Sequence, residues 1–321
     1  MKLVKVAIVG AGYMAQEHAK AFSSLPDVQV VGVHSRTREK AVELASIYGA
    51  AIFDSIEEMY SETKADIVVG AVPELSMAKV AKECFLYPWI CLLEKPVGTD
   101  YQQAQEILAA ANLAKVQCYV ALNRRSYSAT QIAISQLEND KSPRIINILD
   151  QQDMDVARAL EHPEEVVQKW MFANSVHLVD YINVFARGKM VEIKIITPWN
   201  QISPGSVVAA IHFDSGDLAL YQASWNGPGP WSVSVATSEQ RLELRPLEKL
   251  TIQLHGSRSS TEQVVSPDDV NFKPGLLFQA KSVVARFRGH IVNLPTLSEA
   301  NGSMYLVEQI YGLAPAQTQN L

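Results

Sequence analysis

Val4-Lys5-Val6-Ala7-Ile8-Val9-Gly10-Ala11-Gly12-Tyr13-Met14-Ala15 is the stretch on which the fold turns. Its first six residues form a near-continuous apolar, β-branched run, the pattern of a strand buried on both faces of a parallel sheet. A G-x-G-x-x-A turn follows, and Tyr13–Ser24 then carries helical periodicity. Strand, glycine turn and helix in that order are the context the turn needs to hold a dinucleotide. Gly10 allows the tight bend, Gly12 admits a pyrophosphate close to the backbone, and Ala15 lets helix and strand pack closely. Free N–H groups and the positive end of the helix dipole at Tyr13 and Met14 then face the anion. A glycine turn without a ligand is the plain alternative. A secretory leader fits poorly, because the apolar run is short and leads into the glycine turn and charged Glu17-His18-Ala19-Lys20.

Outward from this stretch, short apolar runs alternate with helical ones. Val28–Val33, Ile67–Val69, Ile90–Leu93 and Val116–Ala121 read as strands. Arg38–Tyr48, Leu75–Cys84 and Tyr101–Ala114 read as helices. Such alternation implies an α/β Rossmann domain, a doubly wound parallel sheet. It stops near Asn123. A helix over Ser126–Leu137, a strand at Arg144–Leu149, a polar segment around Gln151–Glu165 and a helix over Val176–Phe185 come next. From Val191 to about Leu254 strands follow one another directly, with Asp214-Ser-Gly-Asp217 as a hairpin-like turn. Helices at Gly275–Phe287 and Ser298–Tyr311 close the pattern. The expected organisation is a nucleotide-binding domain over 1–122 and an α+β domain over 123–321. The second would carry a large, mainly antiparallel open sheet, and its last helix is free to pack back on the first domain.

Composition fits that picture. The 321 residues suffice for two cores, and 48% are hydrophobic against 19% charged. A formal charge of −6 gives no broad basic field, which argues against nucleic acid. No apolar run approaches the roughly 20 residues that span a bilayer, so no membrane partner is expected. Cys84, Cys91 and Cys118 are odd in number and lack metal spacing, and read as reduced, mostly buried thiols of a cytoplasmic protein.

The end of the second strand bears on the choice of cofactor. An NAD site usually places a carboxylate there for the ribose hydroxyls. Here the chain reads His34-Ser35-Arg36-Thr37-Arg38, with no carboxylate before Glu39. Ser35, Arg36 and Arg38 suit the extra phosphate of NADP, since guanidinium matches phosphate oxygens bidentately. NADP is therefore favoured over NAD. The alternative leaves Arg36 stacked on adenine and Arg38 solvated.

Glu94-Lys95-Pro96 follows the strand Ile90–Leu93, and Asn123-Arg124-Arg125 follows Val116–Ala121. With the glycine turn, these motifs resemble the glucose–fructose oxidoreductase/inositol dehydrogenase (Gfo/Idh/MocA) family. The resemblance implies an NAD(P)-dependent oxidoreductase acting on a sugar, cyclitol or nucleotide-sugar hydroxyl or ketone. It also implies a cis bond before Pro96. Glu94 and Lys95 then belong beside the cofactor, and Asn123 and Arg124 line the substrate cleft. Independently, Lys95 sits at the carboxyl end of a strand, where open α/β sheets place ligands. An ammonium there polarises a carbinol oxygen, although the ordinary lysine pKa of about 10.4 is too high for a general base without burial or positive neighbours.

The resemblance implies a second catalytic element, a helix start with Asp and, four residues on, His. The chain reads Ala173-Asn174-Ser175-Val176-His177-Leu178-Val179-Asp180. His177 fits, and as a group of ordinary pKa about 6.5 it suits acid–base work. Asp180 shares its helix face at i,i+3, and Asn174 or Ser175 is available to bind substrate or orient His177. Ala173 replaces the expected carboxylate. That departure motivates a rival reading, a catalytically impaired NAD(P)-binding regulator or scaffold of the same fold. A core histidine is the alternative for His177 itself. Of the other histidines His34 reads as a neighbour of the cofactor and the rest, His18 among them, as surface or core, and no cluster has metal-ligand spacing. Trp225-Asn226 suits either sugar stacking or sheet packing. Phe272–Gln279 resembles a segment preceding a late helix in sugar-modifying members. The broad sheet implies a homodimer or homotetramer.

Overall fold

Six short apolar runs in the first third assemble into one parallel sheet. In the computed structural model, which describes residues 2–313, these strands are β1 (Val4–Val9), β2 (Val28–His34), β3 (Ala51–Phe53), β4 (Ile67–Gly70), β5 (Ile90–Leu93) and β6 (Cys118–Val120). Their order is β3-β2-β1-β4-β5-β6, and every pairing is parallel. The chain reverses direction across the sheet between β1 and β4, the place where doubly wound folds take nucleotides at the strands' carboxyl ends. The helices between the strands are α1 (Tyr13–Ser23), α2 (Arg38–Tyr48), α3 (Ile56–Thr63), α4 (Glu74–Cys84) and α5 (Tyr101–Ala114). β3 and α3 carry no signal in the reading above. β3 has three residues and only Phe53 buried, too short for a period to show.

A second sheet has eight strands: β7 (Ile145–Gln152), β8 (Met190–Thr197), β9 (Ser206–Phe213), β10 (Leu218–Trp225), β11 (Ser232–Ala236), β12 (Gln240–Leu244), β13 (Thr251–Leu254) and β14 (Thr261–Glu262). Their order is β14-β13-β12-β11-β7-β10-β9-β8, antiparallel throughout except where β7 and β10 run parallel at the centre. The fold class is thus a Rossmann α/β domain plus an α+β domain with a mainly antiparallel open sheet. Helices α6 (Ser128–Leu137), α7 (Met154–Ala159), α8 (Glu164–Gln168), α9 (Val176–Phe185), α10 (Asp268–Asn271), α11 (Leu276–Phe287) and α12 (Leu297–Tyr311) complete it. The segment read as polar thus holds α7 and the start of α8. Asp153 caps α7 by accepting from the Asp155 and Val156 amides.

The chain forms two compact units, Met1–Tyr127 with Ser266–Asn301, and Ser128–Val265 with the residues from Gly302 on. Residues 1 and 314–321, which bound the expected domains 1–122 and 123–321, lie outside the described residues. In the first unit, Leu276, Ala280, Val283 and Val284 of α11 join Val4, Ile8, Ala15 and Ala19 in one buried cluster. In the second, the turn 214–217 closes β9 onto β10, with Gly216 at φ +84°. The Asp217 carboxylate there takes bonds from the Arg187 guanidinium at 2.7 and 3.0 Å and from the Arg144 amide at 2.8 Å. Burial alone would raise that carboxyl, but these bonds outweigh it and hold it below the usual range.

Among the described residues no helix is long and apolar enough to cross a membrane, and no three His, Cys, Asp or Glu gather around a common point. The three cysteines are buried free thiols, and burial pushes Cys84 up to about 12.

Candidate functional site

The glycine turn is built around one steric fact. Gly10 has φ +111°, and a Cβ there would lie 2.0 Å from the Ala71 carbonyl oxygen at the end of β4. Only glycine satisfies both conditions. Gly12 differs: its φ of −79° suits any residue, and nothing lies within 4 Å of where a Cβ would be. The chain itself therefore leaves room beside Gly12. Helix α1 has no side-chain cap and no acidic residue in its first turn, so its leading amides remain available to an anion. These features fit a dinucleotide pyrophosphate. Tyr13 is 62% exposed and lies under the Lys273 ammonium, 5.1 Å from its ring centroid, while Met14 packs against the core.

At the end of β2, Ser35 is partly buried and its Oγ accepts from the Thr37 amide at 3.3 Å. Arg36 and Arg38 are exposed. Arg38 is paired with Asp54, which follows β3. Asp54 lies far along the sequence from the arginines and was not legible as their neighbour without knowledge of β3.

Glu94-Lys95-Pro96 follows β5, and the Lys95–Pro96 bond is cis. Both Glu94 carboxylate oxygens have structural partners. Oε1 meets His18 Nε2 at 2.8 Å, and Oε2 accepts the Lys95 amide at 3.2 Å. His18 is fully buried on α1, one turn past the glycine turn. The reading of His18 as an ordinary core or surface histidine missed this link, although its place in the first helix gave a signal. Lys95 is partly buried, and burial pulls its ammonium down to about 8. Glu94 and Glu74 oppose the shift, whereas Arg124 and Lys273 add to it. Four charged groups thus bear on one position, and a lysine so tuned titrates near pH 8.

Asn123 opens a 3₁₀ turn over Asn123–Ser126 and is buried. Its Nδ2 donates to the Pro274 carbonyl at 3.1 Å, and its own carbonyl lies where a Cβ on Gly275 would come within 2.3 Å. Gly275 (φ +80°) must therefore be glycine for α11 to start against this turn. Arg124 is partly buried and close enough to Lys95 to bear on its charge.

In the second unit His177 and Asp180 are buried on α9. The Asp180 Oδ1 accepts from Ser303 Oγ at 2.6 Å, and Ser303 in turn accepts from Asn183 at 3.0 Å. A π-helical turn, Met171–Ser175, leads directly into α9, and such turns recur at functional sites. Ala173 is buried within it, and Asn174 Nδ2 donates to Gln152 Oε1 at 2.8 Å. Trp225 is packed into the sheet, against Trp199 at 4.4 Å between ring centroids, while Asn226 Oδ1 accepts the Met154 amide at 3.0 Å.

The nucleotide-binding half has known counterparts. Residues 4–122 match the oxidoreductase family with the NAD-binding Rossmann fold. A glucose-6-phosphate 3-dehydrogenase of Bacillus subtilis is 26% identical over 144 residues, 45% of this chain and 41% of that protein. The chain thus spans about two fifths of that relative's length. A 4-carboxy-2-hydroxymuconate-6-semialdehyde dehydrogenase of Sphingobium is 22% identical over 242 residues, covering 71% of this chain and 74% of its own. The crystal structure of UDP-N-acetylglucosamine 3-dehydrogenase from Acidithiobacillus ferrooxidans has the same fold. It superposes with a TM-score of 0.78 at 16% identity over 96% of this chain and 97% of that one. Over residues 4–122 this chain thus matches the NAD-binding Rossmann domain of the Gfo/Idh/MocA oxidoreductases.

Proposed function

We propose that the protein transfers a hydride between NADP, favoured over NAD, and a hydroxyl or ketone of a sugar, cyclitol or nucleotide sugar. The observation that carries this reading is Lys95: a lysine at the carboxyl end of β5 whose ammonium burial has pulled down to about 8. The nicotinamide supplies the hydride chemistry when bound. Residues 1–122 hold the nucleotide. Gly10, Gly12, Tyr13 and Met14 present the pyrophosphate turn, and Ser35, Arg36 and Arg38 meet the adenosine ribose phosphate. Residues 123–321 serve substrate binding and oligomerisation.

Lys95, as ammonium, donates a hydrogen bond to the reacting oxygen and stabilises its developing negative charge. Glu94 fixes the backbone that carries it. His177 takes or returns the oxygen's proton. Asn123, Arg124, Asn174 and Asp180 orient the substrate and these groups. The catalysts of sugar oxidation among the relatives, on glucose 6-phosphate and on UDP-N-acetylglucosamine, support a sugar-like substrate. Exposed Val191 and Ile196 on the edge strand β8 support assembly into dimers or tetramers, which light scattering would test.

The decisive experiment titrates NADPH and NADH by fluorescence. It then follows nicotinamide absorbance with glucose 6-phosphate, UDP-N-acetylglucosamine and the inositols, in both directions. Turnover lost in Lys95→Met and in His177→Ala is the expected result. Tight nucleotide binding without turnover across the panel would instead favour the regulator reading that Ala173 motivates.

A further inference from the structure

The buried face of β7 reads Ile146, Ile148, Asp150, Gln152. Alternation alone would continue it with apolar residues, yet a carboxylate and an amide enter the interior. Asp150 is 3% exposed, and its carboxylate is fully engaged. Oδ2 accepts from Tyr221 Oη at 2.7 Å, and Oδ1 accepts from Gln152 Nε2 at 2.6 Å. Tyr311 Oη closes the cluster, 3.0 Å from Tyr221 Oη, 3.3 Å from Ser175 Oγ and 3.3 Å from the Trp225 indole nitrogen that donates to it. Burial pushes the Asp150 carboxyl up to about 6, against the bonds from Tyr221 and Gln152.

The cluster converges on one turn. Ser175 reaches Asp150 through Tyr311 and Tyr221, and Asn174 reaches it through Gln152. Both residues lie in the π turn Met171–Ser175, and His177 follows two positions later. A π turn sacrifices regular backbone bonding, so its geometry depends on outside contacts. Residue 173 is alanine and contributes no polar group from within the turn. We propose that Asp150 is a positioning residue, holding the 171–175 turn through Ser175 and the Gln152–Asn174 bridge and so setting the direction in which His177 points. This rests on the reading of His177 as the group that handles the proton.

The test is hydrogen–deuterium exchange by mass spectrometry on the full chain, with Asp150→Asn as the variant. Amides of residues 173–177 are expected to exchange at least about tenfold faster, while those of β9 and β10 keep their protection. If Asp150→Asn does not fold, Gln152→Met cuts only the bridge to Asn174 and should loosen the same amides. Unchanged exchange at 173–177, or equal loosening throughout the unit, overturns the proposal. On a sugar that turns over, Asp150→Asn should lower kcat about tenfold and leave KM for NADPH unchanged. A fully active His177→Ala would sink the reading of the site but not the exchange result, whereas unchanged exchange in an active enzyme sinks this inference alone.

Discussion

The imidazole of His18 and the carboxylate of Glu94 meet at 2.8 Å in the interior of the first unit, tying the helix behind the glycine turn to the strand end that carries Lys95. His18→Leu removes one partner and leaves a buried carboxylate oxygen without it. Loss of about 2 kcal/mol in a urea titration is expected. NADPH affinity should fall with it, because both the pyrophosphate turn and the Lys95 segment lean on this contact. An unchanged urea midpoint would show that the contact contributes nothing.

Lys95 gives a pH signature. Burial lowers its pKa to about 8, so the ammonium to which the proposed function gives polarisation of the substrate is lost as pH rises through that value. Turnover should decline on this alkaline limb, and Lys95→Arg should retain some activity with the limb moved upward, since guanidinium stays charged. Lys95→Met should cost at least about a hundredfold in kcat. The linkage to stability has the opposite sign. A lysine whose folded pKa lies below its unfolded value of about 10.4 destabilises the fold below about pH 8. That penalty is relieved between the two values. Thermal melts of ligand-free Lys95→Met below pH 8 should accordingly run above wild type.

In the proposed function Arg36 and Arg38 separate the two nicotinamide cofactors. Replacing either with alanine should raise Kd for NADPH about tenfold, the loss of a charge-assisted bond, and leave NADH unaffected. Because Asp54 engages Arg38, Asp54→Asn should tighten NADPH, with the gain shrinking at high salt. Equal weakening of both cofactors by the arginine variants would count against NADP.

The second unit has its own anchor in Asp217. Asp217→Asn strips the charge from a buried pairing with Arg187, and about 3 kcal/mol of stability should go with it. The carboxyl is held below its ordinary pKa, so its contribution is present above the unfolded value of about 3.9. It is lost as pH falls through the folded one. Acid titrations of wild type and variant should therefore converge at low pH.

The Rossmann half was legible because its long elements each carry a strong period. Tyr101–Ala114 and Arg38–Tyr48 coincide with the helices expected there, and β1 with the expected strand. What escaped was short or polar. β3 has three residues, and β7 runs three residues past the expected end at Leu149 because Asp150 and Gln152 break its apolar alternation. Lys95 and His177 stood out by motif and residue type. The residues that the fold sets around Lys95 are distant along the chain: His18, bonded to the neighbouring Glu94, lies 77 positions before it, and Lys273, whose charge bears on it, 178 positions after.

The chain leaves the first unit after Tyr127 and re-enters it at Ser266. On a ribosome, the nucleotide-binding half would thus emerge with a gap in its core, which stays open until Leu276, Ala280 and Val283 have been synthesised. By then every strand of the second sheet has already been synthesised. Vectorial synthesis cannot finish this protein from its N-terminus, and a fragment ending near residue 127 exposes the apolar groove that α11 fills, a ready target for chaperones and for aggregation.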